Sequence, residues 1–125
     1  MLRKTGRYEL AIAEGEKAVN LSGGSPLMRA ALAHTLGIAG RTNEAMHILD
    51  DLVKLSKQRY VAPYFLAGIH IGLGQDDRAI ECLEKAYEER SHWLIYLHID
   101  PSMDALRYNP RFKELLHRVG LPSQP

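Results

Sequence analysis

"GRTNEAMHILDDLV", Gly40 to Val53, decides the fold. It opens on a glycine and continues with Ala45, Leu49 and Leu52, three or four positions apart, which is the spacing of one face of an α-helix. The same phrase recurs. "GRYELAIAEGEKAV" begins at Gly6 and "GQDDRAIECLEKAY" at Gly74, each 34 residues away. Five residues after each glycine stands an alanine (Ala11, Ala45, Ala79), followed by Ile12, Met46 or Ile80. Seven residues past the alanine comes Ala18, Leu52 or Ala86. The three helical faces then read Ala11, Gly15, Ala18; Ala45, Leu49, Leu52; and Ala79, Leu83, Ala86.

A repeat of this length means two helices per unit, neither able to bury its apolar face alone, stacked on their neighbours. The glycine belongs in the tight turn after the first helix, where a left-handed backbone is cheap without a side chain. The alanine lets the second helix come close to its neighbour. The pattern predicts a helix over 7–21, closed by "SGGSP", in which Ser25 caps and Pro26 opens the next helix. Helices over 26–39 and 42–56 form one hairpin, and helices over 63–73 and 76–90 form a second, joined by "KQRYVAP". The chain reads as one domain, 1–125: a partial repeat at 6–25 supplying a second helix only, repeats at 26–59 and 60–93, and a C-terminal cap at 94–125. Gly6 in the turn position places that unit's first helix upstream. The chain is therefore expected to be a piece of a longer protein. The competing expectation is a homodimer formed through Tyr8, Ile12 and Val19 of the unpaired helix.

On the glycine, the alanine five later and the small or apolar residue seven beyond that, the chain resembles the tetratricopeptide repeat family, over roughly residues 6–93. Leu32, Ala33 and Leu36 before Gly40, and Leu66 and Ala67 before Gly74, fit the same pattern. Arg29 and Pro63 stand where the family has a large aromatic, and Leu36 and His70 where it has tyrosine. The resemblance implies an all-α, right-handed superhelical solenoid of antiparallel helix pairs with a helical C-terminal cap. It also implies a non-catalytic scaffold that binds a peptide or helix in its concave groove. By phase with the turn glycines that groove takes Leu27, Ala30, His34, Gly37 and Ile38 from one unit, and Val61, Tyr64, Gly68 and Ile71 from the next. It lacks the Lys, Arg and Asn with which chaperone-binding members clamp a carboxylate. An apolar groove suits an amphipathic helix or an internal segment of the parent protein. The alternative is that Tyr64 and Ile71 only pack against the cap.

After Arg90 the period breaks. Asp100–Pro101 and Asn109–Pro110 are each a polar cap followed by a first-turn proline, and Phe112, Leu115, Leu116 and Val119 share a helical face that Gly120 and Pro122 end. The stretch from Asp100 to Pro122 is similar to the closing segment of bacterial multidomain signalling and transcriptional-regulatory proteins with tetratricopeptide arrays.

Composition narrows the function classes. Sixteen Lys and Arg against 15 Asp and Glu give a net charge of +1, so no positive field gathers nucleic acid. No stretch approaches a membrane span or a signal peptide, which predicts a cytoplasmic chain without a membrane partner. Cys82 is the single cysteine and reads as a small helix hydrophobe. The six histidines (His34, His47, His70, His92, His98, His117) include no pair three or four apart on a helix, and no cysteine pair completes a zinc set. "GIHIGLG", Gly68 to Gly74, lacks the Lys-Ser or Lys-Thr of a phosphate loop. Asp50–Asp51, Asp76–Asp77 and Glu88–Glu89 are neighbours in sequence and so diverge around a helix rather than facing one substrate. The expectation is no enzyme, no metal and no cofactor, with a protein or peptide as partner.

Overall fold

A computed structural model describes residues 2–121, with side chains from Arg7 onward. It contains six α-helices: α1 (Leu2–Leu21), α2 (Pro26–Ile38), α3 (Thr42–Leu55), α4 (Pro63–Gly72), α5 (Asp76–Glu88) and α6 (Pro110–Val119). Two short 3₁₀ helices, η1 (His92–Tyr96) and η2 (Pro101–Leu106), lie between α5 and α6, and there is no strand among the described residues.

Five helices end the same way. The residue after the C-cap takes a positive φ, or the cap itself does, and the next N–H reaches back to a carbonyl five residues earlier. Arg41 donates to Leu36 across Gly40 (φ 85°), and Gln75 donates to His70 across Gly74 (φ 77°). Gly24 does so to Val19 across Gly23 (φ 71°), and Leu121 to Leu116 across Gly120 (φ 91°). These bonds satisfy carbonyls that the helix leaves orphaned. At the end of α5 the same bond, Ser91 to Ala86, is made across Arg90 at φ 57°. Glycine is absent where the chain leaves α5 for η1.

Two details of the sequence reading are corrected. Gly6 is not a turn residue: it lies inside α1, which begins at Leu2, so no helix ends there to require a left-handed residue. Ser25 occupies the N-cap of α2 but makes no capping bond with its side chain; instead its N–H donates to Ser22 Oγ at 3.2 Å. The alanine rule also divides. Ala45 and Ala79 are fully buried because α2 and α4 pack over them, whereas Ala11 is exposed. α1 instead turns Ile12, Gly15 and Val19 toward α2, and a Cβ on Gly15 would stand 3.0 Å from the Leu32 side chain.

α4 is the central element. One side of it, with Ile69, joins a core cluster built from Ile12, Leu32, Leu36, Leu49 and Leu52. The other, with Tyr64, Ala67 and Ile71, joins a second cluster built from Leu83, Leu97, Met103, Leu106 and Phe112. α2 crosses α4 with almost no separation between backbones. A Cβ on Gly72 would fall 2.5 Å from the His34 carbonyl oxygen, and one on Gly37 would fall 2.6 Å from the Gly72 carbonyl. At the far end, α6 places Phe112, Leu115 and Leu116 on the second cluster, with Arg111 and Arg118 reaching Glu84 of α5 at 3.2 and 3.6 Å.

The crossing supplies a paired test. Gly72→Ala should destabilise the fold by about 1–3 kcal/mol, because the added methyl meets backbone that cannot give way. Gly68→Ala, one turn earlier, meets nothing within 4 Å. It should stabilise by about 0.5–1 kcal/mol through helix propensity alone. Urea denaturation midpoints at constant slope measure both, and similar shifts for the two variants would contradict the crossing geometry.

Candidate functional site

The site lies where α2, α4 and the segment after α5 meet. α2 presents Leu27, Ala30 and His34; α4 presents Tyr64, Phe65 and Gly68. The His34 ring bridges the two helices, with Nδ1 at 2.8 Å from the Gly68 carbonyl oxygen. A carbonyl only accepts, so Nδ1 carries the hydrogen and Nε2 is the ring's remaining polar atom. The turn at Arg90 then sends η1 back across the start of α4. Ser91 Oγ accepts the Trp93 N–H at 3.3 Å, and the Trp93 ring packs on α4. It meets Phe65 edge-on at 5.1 Å between centroids and stacks on Tyr64 at 6.1 Å; Tyr96 follows at 5.9 Å, its plane inclined by 47°.

Asp100 fixes what comes next. One carboxylate oxygen accepts the Ser102 N–H at 2.9 Å and caps η2; the other accepts the Tyr64 hydroxyl at 2.6 Å. Arg107 binds the same bend from behind, donating to Asp104 at 2.7 Å and to the backbone carbonyls of His98 and Asp100 at 2.9 and 3.3 Å. Met103 and Leu106 go fully into the core. Burial, and then the hydrogen bond and charge of Asp100, push the Tyr64 hydroxyl far above the ordinary phenol range. Burial raises the Cys82 thiol as well, which keeps it protonated and a poor nucleophile near neutral pH.

This arrangement leaves two adjoining hollows. The inner one, about 70 Å³, lies between α2, α4 and η2, with His34, Phe65 and Gly68 on one side and Ser102 and Met103 on the other. The outer one is an open cleft of about 310 Å³ between Leu27, Tyr64, Trp93, Tyr96, Ile99 and Pro101. Asp100 lines both.

Of the residues expected in a groove, the fold brings five together: Leu27, Ala30, His34, Tyr64 and Gly68. The others separate. Gly37 faces the Gly72 backbone and serves the helix crossing. Val61 and Ile71 are buried, the latter in the second core cluster, and Ile38 is exposed at the end of α2, outside both hollows. The self-association set is also divided. Ile12 is buried in the molecule's own core and Val19 packs against the same cluster, while Tyr8 is half-buried. Among the described residues, the large apolar side chains that α1 exposes are Leu10 and Leu21. The sequence reading missed Phe65, Trp93, Tyr96, Ile99 and Asp100 as members of the site. For all of these but Phe65 the signal was the aromatic density of "HWLIYLHIDP", which follows no helical period. Among the described residues no group of three or more His, Cys, Asp or Glu converges, and no helix is long and apolar enough to cross a membrane.

Residues 38–91 match the family model described as Tetratricopeptide repeat. The match runs from the end of α2 through α3, α4 and α5. Comparison with curated proteins and with solved structures returned no match.

The Tyr64–Asp100 bond can be tested by stability. Tyr64→Phe should cost about 1.5–3 kcal/mol, the range for a hydrogen bond to a charged group. Because the folded-state pKa of Tyr64 is raised, its contribution is complete below the ordinary phenol value near pH 10 and is lost as pH climbs toward the raised one. Wild type should therefore lose stability above about pH 10 more steeply than Tyr64→Phe. Parallel alkaline curves for the two proteins would remove the bond from the account.

Proposed function

We propose that this chain is a non-catalytic protein-interaction module that takes a peptide or helix against the concave face bounded by α2, α4 and the cap. The observation that carries the reading is the open aromatic cleft beside Tyr64. Tyr96 is 42% exposed and Ile99 61% exposed at its rim, next to Trp93 and Leu27. Contiguous exposed apolar surface of this kind marks interaction sites, and aromatic side chains anchored on a rigid core are favoured contact residues. The tetratricopeptide match at residues 38–91 supports the same reading, since such repeats generally serve protein–protein interaction.

The finer picture is a right-handed superhelical solenoid in which hairpins α2–α3 and α4–α5 are the repeats at 26–59 and 60–93, α1 is the second helix of a partial repeat and 94–125 forms the cap. We place the module in a cytoplasmic bacterial signalling or regulatory protein, with a protein rather than nucleic acid or membrane as its target. Homodimerisation is the second reading, and Leu10 and Leu21 on the outer side of α1, both largely exposed, favour it.

Selection of peptides on the immobilised protein, followed by titration of the winners, tests the first reading. Tyr96→Ala and Ile99→Ala should each weaken binding by more than about fivefold, which corresponds to ~1 kcal/mol, the loss that marks an energetically important contact. Helicity should be unchanged, because both side chains lie outside the core. Sedimentation across a concentration series tests the second. A dimer that Leu10→Glu and Leu21→Glu convert to monomer, together with peptide binding indifferent to Tyr96 and Ile99, would replace the groove by α1 as the functional surface.

A further inference from the structure

Asp100 adds a charge to an outer cleft whose other lining side chains are apolar or aromatic. Asp100 is the one formally charged side chain among the residues that line either hollow. Each of its oxygens accepts one hydrogen bond, from Ser102 N–H and from Tyr64 Oη–H, and a carboxylate has capacity for about four. The nearest cation tied to this bend, Arg107, is already engaged by Asp104 and two backbone carbonyls. The rings of Tyr64, Trp93 and Tyr96 line the same cleft, and the face of an aromatic ring is electron-rich. Trp93 and Tyr96 open toward each other at 47° with centroids 5.9 Å apart. A cation at the open side of this tilted pair, rather than between the rings, can lie within the ~6 Å of both at which cation–π attraction acts. At about 310 Å³ the cleft is also too small to enclose a whole helix, whose diameter with side chains is ~10–12 Å. A volume of about 310 Å³ takes a long side chain and its neighbour.

We propose that the outer cleft is a receptor for a basic side chain, arginine or lysine, of the partner peptide. Its charged head lies over Trp93 and Tyr96 toward Asp100, and its aliphatic stem lies along Leu27 and Ile99. This rests on the reading of the cleft as the peptide site and adds the chemistry of the residue it accepts.

Trp93 is the single tryptophan of the chain, so its fluorescence reports the cleft directly. The probes are N-acetyl-arginine amide and its uncharged isostere, N-acetyl-citrulline amide. The arginine compound should change Trp93 emission saturably, and citrulline should bind at least about fivefold more weakly, the worth of one cation–π contact. Binding should weaken between about 50 mM and about 500 mM salt. Asp100→Asn keeps an oxygen to cap η2 and removes the charge; Tyr96→Leu keeps apolar bulk and removes the ring. Each should lower affinity about fivefold or more. Because Tyr96 lies on the rim, its variant stays informative even if Asp100→Asn disturbs the bend. Equal binding of arginine and citrulline, or a Tyr96→Leu variant that binds arginine normally, overturns the proposal. If selected peptides bind through Tyr96 and Ile99 yet contain no basic residue, the interaction module stands and the cation receptor falls. If the arginine probe binds as described and no peptide is selected, the receptor stands and the peptide-groove reading falls.

Discussion

The rest of the structure depends on the contact of two backbones at Gly37 and Gly72. Helix axes normally stand about 8–10 Å apart because side chains fill the space between them. Here there is no room for a side chain at either position, so α2 and α4 touch through main chain. That proximity brings the His34 ring within 2.8 Å of the Gly68 carbonyl and sets Leu27 and Ala30 opposite Tyr64. With a wider crossing, the inner hollow would open and His34 would lose its partner. The spacing of these two helices is thus fixed by what is missing at two residues.

The segment after α5 depends on that crossing in turn. α4 divides its apolar side chains between two core clusters, and the second is completed by residues beyond α5: Leu97, Met103, Leu106 and Phe112. The returning segment is therefore part of the core, and it also supplies one wall of the cleft. The same few residues serve both purposes. Asp100 caps η2 and holds Tyr64; Trp93 packs on Phe65 while forming the edge of the opening. Stability and the shape of the surface are coupled there, whereas the outer faces of α3 and α5 carry separate charged pairs such as Arg41–Glu44.

Much of the fold was legible because its determinants are local or periodic. Gly40 and Gly74 announce left-handed turns, and Asp100–Pro101 and Asn109–Pro110 announce helix starts whose side chains do cap, with Asn109 accepting the Arg111 N–H at 2.9 Å. What misled was identity of pattern without identity of surroundings. Gly6 and Ala11 match their counterparts in type, yet no helix among the described residues packs over Ala11, and Gly6 sits within a continuous helix. The site was half legible. Leu27, His34, Tyr64 and Gly68 follow from repeat phase, but Gly37 was assigned to the groove because its role appears only when two helices cross. Trp93, Tyr96 and Asp100 were missed because 3₁₀ turns carry no long period, and because a reversal at Arg90, a non-glycine at positive φ, has no signal in sequence.

The central claim is that the segment after α5 folds back onto α4 and makes one wall of the cleft. Nuclear Overhauser contacts from the Trp93 ring in the free protein test it most directly, since a single tryptophan leaves no ambiguity of assignment. The account predicts strong contacts from Trp93 to the Phe65 and Tyr64 rings, with ring-current shifts on both. A Trp93 ring that shows contacts only to His92 and Tyr96, its neighbours in the chain, would contradict it.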